Sequence, residues 1–333
     1  MTSYVAQRLS FQSEGSTIAA VLYLPSDADS ACPCVVLAHG FSGTMDWIVG
    51  DFAATFAAGG LAALIFDYRY LGASEGEPRQ LISSRKQCED LRHAVAFVRS
   101  RPEIDASRIA LWGTSLGGAH VLTLAREDRE IAAVVANVPG VDLFKGTRGR
   151  YVPPHMRLPL RKIVGATARL LGAAVLDAAC GAMGLAPFYI PVYGRLGHAV
   201  FSDPDLAPLF RNVEENAPTW RNRVTPRFFF TAPRYHDGGF EQIAMPLMVT
   251  VARDDEVIST AFVKEKAAKA PNHEIREYPV RHFEMYHGAV RDEVAADQLA
   301  FLQHHLVSQR WKAQRAMTFG PGNRGTGRVP RRS

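Results

Sequence analysis

Residues 108 to 120 read RIALWGTSLGGAH, and this stretch limits the architectures open to the chain more than any other. Strand formers from Arg108 to Trp112 run into Gly113, and apolar residues from Leu116 through Val121 to Leu124 then recur at helical spacing. Ser115 therefore stands on a turn between a strand and a helix. To lift a hydroxyl clear of a sheet, such a turn must be sharp, which strains its apex and requires neighbours almost free of side chain. Gly113 and Gly117 meet that demand. The same residues also suit an ordinary strand-to-helix turn with Ser115 as the helix N-cap. What separates the two readings is whether the rest of the chain supplies the partners of a nucleophilic serine.

The organisation of the chain favours a parallel sheet. Strand candidates CPCVVLAHG, LAALIFDYR, RIALWGTS, IAAVVANVP, PLMVTVARD and HEIREYPV alternate with helical stretches. One helix lies near Asp51 to Ala58 and stops at Gly59-Gly60; another runs from about Ser84 to Ser100, ahead of Pro102. This rhythm predicts an α/β fold with helices on both faces of the sheet. The opening segment RLSFQSEGSTIAAVLYLPS reads as an antiparallel hairpin turning near Glu14 and Gly15. Between about Gly140 and Gln242 the rhythm breaks for roughly 100 residues, far beyond an ordinary strand-helix connection. The expected division is a core of residues 1–139 and 243–309, an inserted helical lid over 140–242, and a tail over 310–333.

Charge and composition exclude several classes. The chain has 333 residues, is 47% hydrophobic and carries a net charge of +5. Seven Lys or Arg and no acid lie from Arg310 to Ser333, which leaves the remainder at −2. The basic signal therefore belongs to a Gly-, Pro- and Arg-rich tail expected to be disordered, and no nucleic-acid partner is expected. The apolar segment RKIVGATARLLGAAVLDAACGAMGLAPFYIPVYG is interrupted by Arg169, Asp177 and Pro187, so it reads as lid helices and not as a membrane span. Four cysteines without a CxxC pair and an N-terminus without a basic start and apolar core indicate a reduced, cytoplasmic protein. No HxxxH pair with a nearby carboxylate occurs, so neither a metal nor a cofactor is expected. A homodimer is compatible with the sequence.

A nucleophilic Ser115 needs a base, an acid to orient that base, and donors for a developing oxyanion. RHFEMYHG follows the last strand and offers His282 as base, with His287 nearby as a residue that starts a helix. ARDDEV follows the preceding strand and offers two aspartates. Asp255 is favoured over Asp254, with Asp142 a distant third. In LAHGFSGT, after the first parallel strand, the Phe41 amide can converge with that of Leu116 on one oxygen, His39 and Gly40 supporting the loop. Asp67 and Arg69, at the end of an apolar strand, are expected to brace the oxyanion loop as a charge-assisted pair, and Arg69 alternatively contacts a substrate carboxylate. Trp220, Phe228, Phe229, Phe230 and Tyr235 are candidates for an aromatic substrate wall; equally, they only pack the lid onto the core.

The order Ser115, Asp255, His282, with HGFSGT, FDYRYLGASEGEPRQLI, ALWGTSLGGAH, ARDDEV and RHFEMYHG, resembles the α/β-hydrolase superfamily, in its dienelactone-hydrolase-like branch. The FDYRYLGASEGEPR segment with a long insertion is similar to the subgroup of fungal polyketide transferases and uncharacterised bacterial hydrolases. The resemblance implies an eight-stranded, mostly parallel sheet and a serine acyl-enzyme mechanism. The elbow departs from the lipase form by carrying Thr114 before the serine in place of His. The expected activity is hydrolysis of an ester or thioester of a hydrophobic, small-molecule acyl group. Acyl transfer is the alternative, and a catalytically idle binding protein on the same fold is the alternative of another class.

Overall fold

The computed structural model of the protein describes residues 3–26 and 31–307. The tail expected over 310–333 lies outside the described residues. Eight strands form one sheet in the order β1-β2-β4-β3-β5-β6-β7-β8. β1 (Tyr4–Ser13) and β2 (Ser16–Pro25) form the expected hairpin, turning on Glu14 and Gly15, both at positive φ. β2 pairs antiparallel with β4 (Ala62–Phe66). Every pairing from β4 through β3 (Cys32–Ala38), β5 (Ile104–Thr114), β6 (Ala133–Asn137), β7 (Leu247–Ala252) and β8 (His273–Tyr278) is parallel.

Because successive side chains point to opposite faces, the fully buried run CPCVVLA of β3 feeds two cores. Cys34, Val36 and Ala38 join Leu91 and Val95 of α2 (Ser84–Arg99), Val121 of α3 (Leu116–Glu127) and Val263 of α7 (Thr260–Ala267). Val35 and Leu37 face Phe52 and Phe56 of α1 (Val49–Ala58) and Phe301 of α8 (Gly288–Leu306). Trp112 of β5 is fully buried on Phe52, and its indole Nε1 donates to Gln298 Oε1 of α8 at 2.7 Å.

The connection from β6 to β7 carries α4 (Leu160–Ala182), α5 (Ala207–Asn216) and the single turn α6 (Phe228–Thr231). α4 takes up the apolar segment that Arg169 and Asp177 interrupt in the sequence, and it is one continuous helix of 23 residues. Asp177 is turned inward, where Arg227 Nε and Nη2 donate to its two oxygens at 2.7 and 2.8 Å, so its charge does not interrupt the outer face. That face exposes Leu160, Ile163, Val164, Leu171, Val175 and Leu176. Among the described residues α4 is the one helix long and apolar enough, by length and composition, to cross a membrane.

Candidate active site

Ser115 caps the N-terminus of α3 at φ 52°, a left-handed backbone value that a side-chain-bearing residue occupies only when its surroundings enforce it. The enforcement is steric. A Cβ on Gly117 would lie 2.2 Å from the Ala38 carbonyl oxygen and 2.5 Å from that of His39. A Cβ on Gly113 would lie 2.3 Å from the Gly117 oxygen. The glycines thus let α3 press against the ends of β3 and β5, and Ser115 is held at the carboxyl edge of the sheet. Beneath it, Asn137 Nδ2 donates to Thr114 Oγ1 at 3.1 Å, and Thr250 Oγ1 and Gln298 Nε2 both donate to Asn137 Oδ1. The Thr114 hydroxyl also pairs with the Tyr286 hydroxyl at 2.8 Å. A threonine before the serine therefore belongs to a buried polar network spanning β5, β6, β7 and α8.

Ser115, His282, Gly40 and Phe41 line one small cavity of about 30 Å³. His282 Nδ1 lies 2.8 Å from Asp255 Oδ2, and both side chains are buried. The other Asp255 oxygen accepts from the amides of Val257 and Ile258 at 2.8 and 2.7 Å. A carboxylate fixed in this way accepts the Nδ1 proton and leaves Nε2 as the acceptor on the ring. Burial on its own would lower the His282 pKa; the adjacent Asp255 charge and hydrogen bond, helped by Glu256, raise it above the ordinary histidine value. Glu256 Oε2 accepts from the His282 amide at 3.1 Å. Arg281 ties the same loop to the β6–β7 connection, bridging to Asp203, to Asp205 at 3.1 Å and to Glu256 at 3.4 Å. His155, Asp203 and Asp205 also cluster closely enough to resemble a metal site, but the Arg281 guanidinium already occupies both carboxylates.

The HGFSGT loop after β3 is held from two sides. His39 Nδ1 donates to the Gly40 carbonyl at 3.1 Å, and burial depresses the His39 pKa to about 4, which keeps the ring neutral. Asp67 Oδ1 accepts from the Met45 amide and Oδ2 from the Ala73 amide, each at 2.7 Å. Burial raises the Asp67 pKa to about 7 against the pull of those two amides. A larger cavity of about 120 Å³ opens beside Ser115 and Leu116, walled mostly by apolar side chains, including Phe41, Phe201, Phe228 and Phe229.

The model of the family described as "Serine aminopeptidase, S33" matches residues 29–293. The chain belongs to this family of α/β hydrolases. Among curated relatives, the chain is 35% identical over 295 residues to the quorum-quenching protein AidA of Acinetobacter baumannii, covering 88% of this chain and 93% of that protein. It is 32% identical over 225 residues to the polyketide transferase grgF of a Penicillium species, covering 67% and 71% of the two chains. It is 29% identical over 231 residues to the thiohydrolase apmlB of Arthrinium phaeospermum, covering 66% and 69%. The crystal structure of the α/β hydrolase GrgF superposes with a TM-score of 0.73 at 24% identity, covering 91% of this chain and 100% of that one, which shows the shared fold.

On this α/β-hydrolase frame several sequence expectations change. Arg69 does not pair with Asp67. Its Nε donates to Asp90 Oδ1 of α2 at 2.7 Å and its Nη2 to the Ser13 hydroxyl at 3.0 Å, so it clamps the hairpin to α2 and lies too deep to meet a substrate. Both residues lie past the end of β4, and there Asp67 meets the Met45 and Ala73 amides while Arg69 meets Asp90. Trp220 packs between Trp47 and Phe210, and Tyr235 packs on Phe240 and Phe262; neither lines the cavity beside Ser115. Of the aromatic candidates, Phe228 and Phe229 reach it. Asp142 accepts from the amides of Phe144, Lys145 and Tyr235 and so pins two ends of the β6–β7 connection. Asp254 points to the surface beside Arg253, and His287 caps α8. Phe201 was not among the sequence candidates. It carries no local signal of its own.

Proposed function

We propose that the protein is a serine hydrolase of esters or thioesters of small, hydrophobic acyl groups, acting through an acyl-enzyme. The observation that carries this reading is the Ser115, His282 and Asp255 arrangement, with the imidazole fixed at 2.8 Å by a carboxylate whose second oxygen is held by two amides. Ser115 Oγ attacks the acyl carbon while His282 Nε2 takes its proton. The Phe41 and Leu116 amides hold the oxygen that becomes negative. The C–O or C–S bond then breaks, the leaving group receives the proton from His282, and water attacks the Ser115 ester by the same route in reverse. The β6–β7 connection acts as a lid whose Phe228 and Phe229 wall the acyl pocket.

Ester chemistry is favoured over aminopeptidase action, despite the family description. A peptide N-terminus needs a free carboxylate near the scissile bond, whereas the acid in the 120 Å³ cavity, Asp142, has both oxygens committed to backbone amides. Relatives named thiohydrolase and polyketide transferase support acyl substrates, and the latter name supports transfer to an alcohol or amine as the alternative outcome of the same acyl-enzyme. An idle binding protein on this fold would react with no acyl probe. Four unpaired cysteines support a reducing, cytoplasmic setting.

A series of p-nitrophenyl esters from acetyl through butyryl, hexanoyl and octanoyl to palmitoyl tests the pocket. Each buried methylene contributes about 0.8 kcal/mol, so kcat/KM rises severalfold per carbon until the cavity is full, then falls. A cavity of about 120 Å³ puts the maximum at the short-to-medium esters, with palmitoyl well below it. A flat series, or a steady decline from acetyl, would remove this cavity from the acyl site.

A further inference from the structure

A second groove, of about 300 Å³, adjoins the acyl pocket: Ser84 and Pro233 line both. Its charged lining is of one sign, since Arg85, Arg92, Arg126 and Arg234 face it and no Asp or Glu does. Two of these are neutralised from outside the groove, Arg85 by Glu89 and Arg92 by Glu127, each at 2.6 Å. Arg126 has only a 3.4 Å contact to the Thr123 hydroxyl, and Arg234 lies over the Phe144 ring at 4.9 Å; among the described residues neither has an acidic partner. Two further polar groups belong to the same wall. Tyr235 is 8% exposed and His120 is 1% exposed, and neither the Tyr235 hydroxyl nor His120 Nε2 has a hydrogen-bond partner among the described residues. Buried polar atoms left unpaired are costly, so a wall that keeps them beside two uncompensated guanidinium groups is suited to a ligand that supplies acceptors.

We propose that this groove binds an anionic oxygen group, a carboxylate or a phosphate, carried by the substrate at the far end of the chain that fills the acyl pocket. The proposal rests on the hydrolase reading and narrows it: the preferred substrate is amphiphilic, its apolar part lying between Ser115 and Pro233 and its charged end on Arg126 and Arg234. Guanidinium groups suit this task because their fixed fork of donors matches both carboxylate and phosphate. The charge sits on the acyl half in one case and on the leaving group in the other.

Matched substrate pairs distinguish the two sources. Mono-4-nitrophenyl adipate against 4-nitrophenyl hexanoate places a carboxylate on the acyl half; hexanoyl-coenzyme A against S-hexanoyl-N-acetylcysteamine places phosphates on the leaving half. In one pair the anionic member has a kcat/KM about tenfold or more above its neutral match, expressed through KM and weakened by added salt. Arg126→Gln with Arg234→Gln brings that ratio near one and leaves the neutral member within about threefold, with the melting temperature unchanged. No preference in either pair, or an equal loss on neutral and anionic members in the double variant, overturns the groove while leaving the hydrolase reading intact. If no ester or thioester is turned over, that reading fails and the groove is judged by calorimetry with adipate and with coenzyme A on Ser115→Ala. Binding that weakens about tenfold in the arginine variants keeps the groove as an anion site, and absent or unchanged binding removes it.

Discussion

In the Asp255→Asn variant, kcat falls by roughly 10³- to 10⁴-fold while the fold is retained. The size of the effect follows from the hydrogen-bond inventory at the carboxylate. One Asp255 oxygen accepts from the Val257 and Ile258 amides, and the amide oxygen of an asparagine keeps those two bonds. Its NH₂ group then faces His282 Nδ1, which becomes an acceptor, so the ring proton moves to Nε2 and the nitrogen nearest the serine can no longer take a proton. Asp254→Asn is the control. Asp254 is a surface residue paired with Arg253 at 3.3 Å, and its substitution changes kcat by less than about twofold.

The pH profile carries an independent signature of the same pair. In the proposed mechanism the neutral imidazole is the active form, and Asp255 raises its pKa, so kcat/KM climbs with pH as that raised group loses its proton. Without the Asp255 charge, burial dominates and lowers the pKa. The acid limb of the residual activity therefore moves to lower pH in Asp255→Asn, whereas a variant that merely loosened the site would leave it in place.

The second large effect is on the fold itself. Gly117→Ala places a methyl group 2.2 Å from the Ala38 oxygen and 2.5 Å from the His39 oxygen, both backbone atoms that cannot rotate away. Relief requires α3 to withdraw from the end of β3, which opens the elbow and separates the Leu116 amide from the oxyanion loop. The expected cost exceeds about 4 kcal/mol, in the range of the largest single-site effects, with a melting temperature lower by about 8 °C or more and activity lost. Gly165→Ala supplies the contrast. A Cβ there meets nothing within 4 Å on the exposed side of α4, so the exchange is neutral or stabilises by up to about 1 kcal/mol through helix propensity. Equal melting temperatures for the two variants would contradict the steric account of the elbow.

These contrasts also mark what could be read from residues alone. The GTSLG turn, the β3, β5, β7 and β8 strands and the hairpin at Glu14 and Gly15 are set by local spacing, and local spacing survives folding. Ser115, Asp255 and His282 each follow a strand, so the parallel sheet brings its carboxyl-end residues to one edge. Partner choice in three dimensions is a different matter. Arg69 sits two residues from Asp67 yet answers to Asp90, because both lie past the end of β4, where strand spacing no longer sets which way a side chain turns. The cavity beside Ser115 draws on Phe41 and Phe201, far apart in the chain, while Trp220, equally prominent in sequence, packs on Trp47 and Phe210, and Tyr235 lines the neighbouring groove. The acid-free arginine groove is invisible in sequence, since its four arginines come from α2, α3 and the β6–β7 connection and the acids that silence two of them do not line it.

The account stands on Ser115 as the atom that becomes acylated. Incubation of the protein with a fluorophosphonate, followed by intact mass and peptide mapping, reads this directly. The account predicts a single adduct on the peptide containing Ser115, lost in Ser115→Ala and slowed by orders of magnitude in the His282→Ala variant. Labelling that persists in Ser115→Ala, or an absence of labelling in a folded protein that still hydrolyses esters, would contradict it.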